Sequence, residues 1–134
     1  MTDTGKMYKL SESDLTVADP AEDVQGRDVL DSSGDEIGTV DDLLLDSQES
    51  KVRFLQVAQG GFLGIGEDHY LIPVDAVTRV DEDHVHIDRQ RGQMTDVPGY
   101  SPTIAAEPNY YGDVYGYWGY GPYWSPGYIY PAYP

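Results

Sequence analysis

Cysteine is absent from the 134 residues, which excludes a disulfide framework, a thiolate nucleophile and any Cys-ligated zinc or iron–sulfur centre. Positive charge is scarce too: 8 Lys and Arg stand against 24 Asp and Glu, for a formal net charge of -16. Such a field repels phosphate backbones and anionic lipid and favours cations or basic partners, so no nucleic-acid partner is expected. No apolar stretch approaches the roughly 18 residues needed to span a bilayer, and the opening MTDTGKMYKLSESDLTVADP has no signal-type apolar run. No transmembrane segment and a cytoplasmic location are therefore expected.

What is present divides into three segments. Residues 1–20 read as a polar N-terminal arm with a short apolar pattern at Met7, Tyr8, Leu10 and Leu15; residues 21–100 carry the order-forming signal; residues 101–134 form a low-complexity tail. In the middle segment GRDVLD reads as a strand ended by the turn SSGDE, and EIGTVDDLLLD as a longer strand whose alternation needs a bulge near Asp41 and Asp42. KVRFLQVAQ alternates cleanly, HYLIPV is closed by Pro73, and DAVTRVD and HVHID flank a turn at DED. Six short strands with no helical period between them predict an all-β, closed or nearly closed antiparallel barrel, with room for one helical turn at Val74–Val77.

Candidate chemistry is thin. GGFLGIG places Gly61, Gly64 and Gly66 in the order G-x-x-G-x-G before a strand, whereas a dinucleotide loop needs G-x-G-x-x-G ahead of a helix. It reads as a wide turn, with Phe62, Leu63 and Ile65 as apolar flanks that cap the barrel or meet a partner. His84, His86 and Asp88 alternate on one strand face; the row is either a solvated face or an N,N,O cation site. His69 reads as a polar edge residue. Asp31, Ser33, Asp35 and Asp42 mimic calcium-loop positions, but Glu36 stands where the loop needs glycine and the terminal Glu is missing, so a hairpin turn is expected. No catalytic residue and no cofactor can be assigned, because spacing alone cannot select a catalytic pair among so many carboxylates.

The C-terminal stretch is compositionally different. From Pro98 onward lie ten of the 12 tyrosines, both tryptophans and seven of the 9 prolines, without one Lys or Arg. Frequent Pro and Gly argue against a long helix or central strand, and aromatics at this density are costly to leave in water. The tail is expected to be disordered in the isolated monomer, with docking on the barrel as the alternative, and to act by lying extended over a groove, stacking on other copies or adhering to another surface; Tyr117, Trp118 and Trp124 are its interface candidates.

GRDVLDSSGDEIGTVDDLLLD, VRFLQV, GGFLGIGEDHYLIPVDAV and VHIDRQRGQMTDVPGY, in that order, resemble the PRC-barrel family, the small β-barrel shared by the cytoplasmic part of the reaction-centre H subunit and the C-terminal domain of the ribosome-maturation factor RimM. The likeness covers roughly residues 21–100 and is nearest to stand-alone bacterial and archaeal members. The membrane helix of the first relative and the RNA-processing domain of the second have no counterpart here, so neither role is expected to carry over. The resemblance implies a PRC-type antiparallel barrel acting as an adaptor without catalytic residues, with Gly26, Val29, Gly34, Ile37, Gly38, Val40, Leu71, Ile72, Pro73 and Val77 as fold determinants. The expected function is thus a non-enzymatic interaction or self-assembly module, partnered by itself as a homodimer or higher oligomer and by another protein, with a cation- or ligand-binding regulator using His84, His86 and Asp88 as the alternative.

Overall fold

The computed structural model describes residues 7–10, 23–46, 49, 51–59, 69–94, 97–101, 109–131 and 133. Its strands are β1 (Met7–Lys9), β2 (Asp28–Leu30), β3 (Glu36–Asp46), β4 (Val52–Gln59), β5 (His69–Pro73), β6 (Val77–Val80), β7 (His84–Ile87) and β8 (Gly99–Tyr100). They form one sheet in the order β6-β7-β2-β3-β4-β5-β8, with β1 paired to β3.

The 11-residue β3 is the spine of this sheet. It runs antiparallel to β2 near its start, to β1 near its end and to β4 along most of its length. Pairing passes from Val40 to Asp42 without Asp41, so the bulge expected from the broken alternation is present. The extra residue puts Asp41 in solvent while Val40, Leu43, Leu44 and Leu45 stay buried. At Gly38 an added Cβ would lie 2.5 Å from the Ala58 carbonyl oxygen and 2.6 Å from Val57 Cγ1, so glycine is what allows β4 to approach this closely. The turn after β2 is held by Asp31, whose Oδ1 accepts from the amides of Ser33 and Asp35 at 2.9 and 2.8 Å. It is the expected hairpin turn, with Gly34 in the left-handed region at φ +88°.

The expected all-β antiparallel barrel with an extended tail is not what forms. First, β2 and β7 pair in parallel, with Val29 opposite Val85. The antiparallel β6–β7 hairpin predicted around the DED turn is present, and laying it beside β2 brings β7 alongside in the same direction. Second, the sheet is not closed into a barrel: β6 and β8 end the order and do not pair with each other among the described residues. β8 covers β5 only at His69 and Tyr70. Pro73, without an amide hydrogen, then ends the strand, and the chain leaves in a 3-10 turn over Val74–Ala76. Third, the tail contains a helix, α1 (Tyr110–Trp118).

Helix α1 forms because YYGDVYGYW is free of proline and sets Tyr110, Tyr111, Val114, Tyr115 and Trp118 on one face at helical spacing. Four of the five are buried. Its end is closed by Gly119 at φ +82°, with the amides of Gly119 and Tyr120 both returning to the Tyr115 carbonyl at 2.9 and 3.0 Å. Trp118 Nε1 donates to the Leu71 carbonyl at 3.1 Å, where no β8 residue pairs with β5. The helix therefore does for β5 what a closing strand would do in a barrel. Tyr110, Val114, Tyr115, Trp118 and Tyr133 join the same core cluster as Ile37, Leu43, Phe54 and Leu71.

Candidate functional site

Asp46 ends β3 and Arg53 lies near the start of β4, so the hairpin between them brings the two side chains together. Asp46 is 1 % exposed and Arg53 2 %. Asp46 Oδ1 accepts from Arg53 Nε and from the Lys51 amide, both at 3.2 Å, and Oδ2 accepts from the Glu49 amide at 2.8 Å. Arg53 Nη2 also donates to Glu49 Oε1 at 2.9 Å. Burial acts to lower the pKa of the guanidinium, but the charge and hydrogen bond of Asp46, with Glu49 behind them, outweigh it and raise the value.

The tail closes over this pair. Arg53 Cζ sits 4.3 Å from the Tyr123 ring centroid, 5.4 Å from that of Tyr130 and 5.9 Å from that of Tyr128. Lys51 Nζ lies 4.4 Å from the Tyr130 ring centroid, and the Tyr130 hydroxyl donates to the Val52 carbonyl at 2.9 Å. Around Arg53 the chain leaves a cleft of about 290 Å³, lined also by Glu49, Lys51, Tyr123, Ser125 and Tyr128. Farther along, Arg89 stacks beside Tyr117 and Trp118 and donates to the carbonyls of both, at the helix end where the backbone offers free acceptors. Among the described residues, the basic side chains of Lys51, Arg53 and Arg89 thus lie against tail aromatics, each a favourable cation–ring contact.

One joint of this arrangement is unrelieved. The Tyr128 hydroxyl donates to Asp75 Oδ2 at 2.9 Å, whereas Asp75 Oδ1 and the Tyr115 hydroxyl are buried without a hydrogen-bond partner among the described residues. Burial raises the Asp75 pKa above its ordinary 3.8, more than the Tyr128 hydrogen bond and Arg53 lower it. Burial, then the neighbouring Asp75 charge, pushes the Tyr128 phenol up as well. A carboxyl raised in the folded state contributes its full stability below the unfolded pKa and loses it as pH rises through the folded value. Asp75→Asn keeps an acceptor for Tyr128 and removes the buried charge. It is expected to add about 1 kcal/mol at pH 7, a rise of about 3–5 °C in Tm, with the gain over wild type shrinking as pH falls toward 4 in calorimetric scans.

The histidine row divides. His84 and His86 share a face, with ring centroids 6.1 Å apart, and both turn to Asp81 rather than Asp88. His86 Nε2 is 3.0 Å from Asp81 Oδ2, and His84 Nδ1 is 3.4 Å from Asp81 Oδ1. The His86 hydrogen bond, then the Asp83 amide, holds the Asp81 carboxyl well below the usual range. Arg79 Nη2 also stands 3.0 Å from His86 Nε2, so that nitrogen either donates to Asp81 or accepts from Arg79, and a guanidinium occupies the place a cation would take. Asp88 accepts instead from the Tyr120 hydroxyl. Among the described residues no group of three or more His, Cys, Asp or Glu is placed to hold a metal ion. His69 is the polar edge residue expected, with Nε2 2.8 Å from Asp41 Oδ2.

Of the interface candidates, Phe62, Leu63 and Ile65 lie outside the described residues. Trp118 is inside the core, 1 % exposed, and Tyr117 is half-buried with its hydroxyl on the Gln93 carbonyl. Trp124 remains 38 % exposed and Ile129 84 %. Sequence reasoning passed over the Asp46–Arg53 pair. Its signal was a single charged residue inside the VRFLQV strand, seven positions from an aspartate across a hairpin.

None of the described helices is long and apolar enough to cross a membrane. Comparison with curated proteins finds no match to the chain. The model of the PRC-barrel domain matches residues 18–94, more than half of the sequence, taking in β2 through β7 and the Asp46–Arg53 pair and ending before β8 and the tail. The chain therefore belongs to the PRC-barrel family, as a member whose sheet stays open and is finished by a C-terminal aromatic wrap.

Proposed function

We propose that this protein is a non-enzymatic interaction module that assembles with copies of itself, as a homodimer or higher oligomer, and that it works in the cytoplasm. The adaptor role implied by PRC-barrel membership supports the reading. The observation that carries it is the way Tyr123, Tyr128 and Tyr130 pack around the Arg53 guanidinium. Aromatic rings and arginine are the residue types that dominate protein–protein contacts, and here Arg53 of β4 already receives a peptide segment rich in aromatic rings. Trp124 and Ile129 extend that surface outward, and Phe62, Leu63 and Ile65 belong to the same proposal as a second apolar lip. An acidic sequence without an apolar membrane-length run supports the cytoplasmic location.

Sedimentation velocity across a wide concentration range tests the reading. The weight-average sedimentation coefficient is expected to climb with concentration toward that of a dimer or larger species. A compact monomer at every concentration would sink it.

A further inference from the structure

We infer that the wrap formed by residues 109–133 is an exchangeable ligand, and that the β4–β5 surface accepts the wrap of a second copy as it accepts its own. This rests on the self-assembly proposed above and names the surface and segment through which it occurs.

The wrap is built as a unit that closes on itself. The Asp113 amide bonds to the Asn109 carbonyl, Gly119 to Tyr115, Ser125 to Pro122 and Tyr128 to Ser125. It is held on the rest of the chain by the core burial of Tyr110, Val114, Tyr115 and Trp118, by Arg89 on the Tyr117 and Trp118 carbonyls and by side-chain tips: Trp118 on the Leu71 carbonyl, Tyr110 on Gly99, Tyr130 on Val52, Tyr128 on Asp75 and Tyr120 on Asp88. Lifting it from one sheet and setting it on another leaves its internal bonds intact and remakes the same contacts. The wrap also lies beyond the stretch that the family model matches, so it is an addition to the domain.

Charge favours exchange over a face-to-face interface. Each copy carries -16, and pressing two such surfaces together sets like charges within a Debye length of about 8 Å. Tail and receiving surface are complementary, since no Lys or Arg follows Arg91 while Lys51, Arg53 and Arg89 all face tail rings. With the same contacts made in cis and in trans, linker length and concentration set the balance.

The test uses full-length chains in sedimentation velocity. Arg53→Lys keeps a cation beside Asp46 but loses the planar group that stacks, impairing the receiving surface. Tyr123→Leu with Tyr130→Leu impairs the wrap; circular dichroism checks its fold, and Tyr123→Leu alone replaces it if the double variant unfolds. Each variant by itself is expected to dimerise at least tenfold more weakly than wild type. An equimolar mixture is expected to recover dimers, because one intact wrap then meets one intact surface. If both variants dimerise like wild type, assembly stands but is built elsewhere, and exchange is overturned. If the mixture is no better than either variant, the wrap is needed only in cis, and exchange is again overturned. A wild-type chain that is monomeric throughout overturns the assembly reading itself.

Discussion

Trp118→Ala is expected to remove about 4 kcal/mol of folding stability, the range seen when a large aromatic leaves a packed interior. Trp118 is 1 % exposed, with its ring 5.6 Å from that of Tyr117 and Arg89 Cζ 5.2 Å from its centroid. The indole nitrogen supplies the donor for the Leu71 carbonyl, so alanine leaves both a void and an acceptor without its partner at the outer edge of β5. Urea denaturation followed by circular dichroism measures the cost through the shift in midpoint. Trp118→Phe separates the two effects, retaining most of the volume and losing only the donor, for about 1 kcal/mol. A cost below about 0.5 kcal/mol for the alanine variant, within the usual range for surface substitutions, would mean that the wrap unfolds independently of the sheet.

Arg53→Ala is expected to cost about 3–5 kcal/mol, the penalty for stranding one member of a buried ion pair. Asp46 would keep the Lys51 and Glu49 amides but lose the guanidinium bonded to it, while 1 % exposed. The loss is expected to be partly rescued by Asp46→Asn in the same chain. A double-mutant cycle then reads the coupling between the two residues apart from the stacking of Arg53 on the tail rings. Rescue of the whole loss would assign the Arg53 effect to Asp46 alone and leave the tyrosine contacts without energetic weight.

The strands were legible because their signals are local. Turn residues at SSGDE and DED, alternation in VRFLQV and the proline after HYLI each act over a few positions, and the broken alternation around Asp41 and Asp42 marked the bulge. Parallel pairing of β2 with β7 was not legible, since it joins residues more than 50 positions apart and depends on how the β6–β7 hairpin docks. The tail was misread for a different reason. Its overall content of Pro and Gly masked YYGDVYGYW, a proline-free stretch whose aromatic spacing has the helical period. Composition averages over a segment, whereas helix formation depends on the order within it. In the candidate site, His84 and His86 lie on one strand while Asp88 falls just beyond its end, and Asp81 across the turn and Tyr120 in the tail compete for these side chains; neither competitor can be inferred from spacing within HVHID.

Both indoles of the protein, Trp118 and Trp124, belong to the wrap, one enclosed and the other at the surface. Tryptophan emission, excited at wavelengths where tyrosine does not absorb, consequently originates in that segment alone, whereas Tyr70 and Tyr100 lie on strands. Far-ultraviolet circular dichroism, by contrast, is dominated by the sheet. The two spectra recorded on one unlabelled sample will therefore superimpose if wrap and sheet melt as a single cooperative unit, and separate if the wrap lets go first.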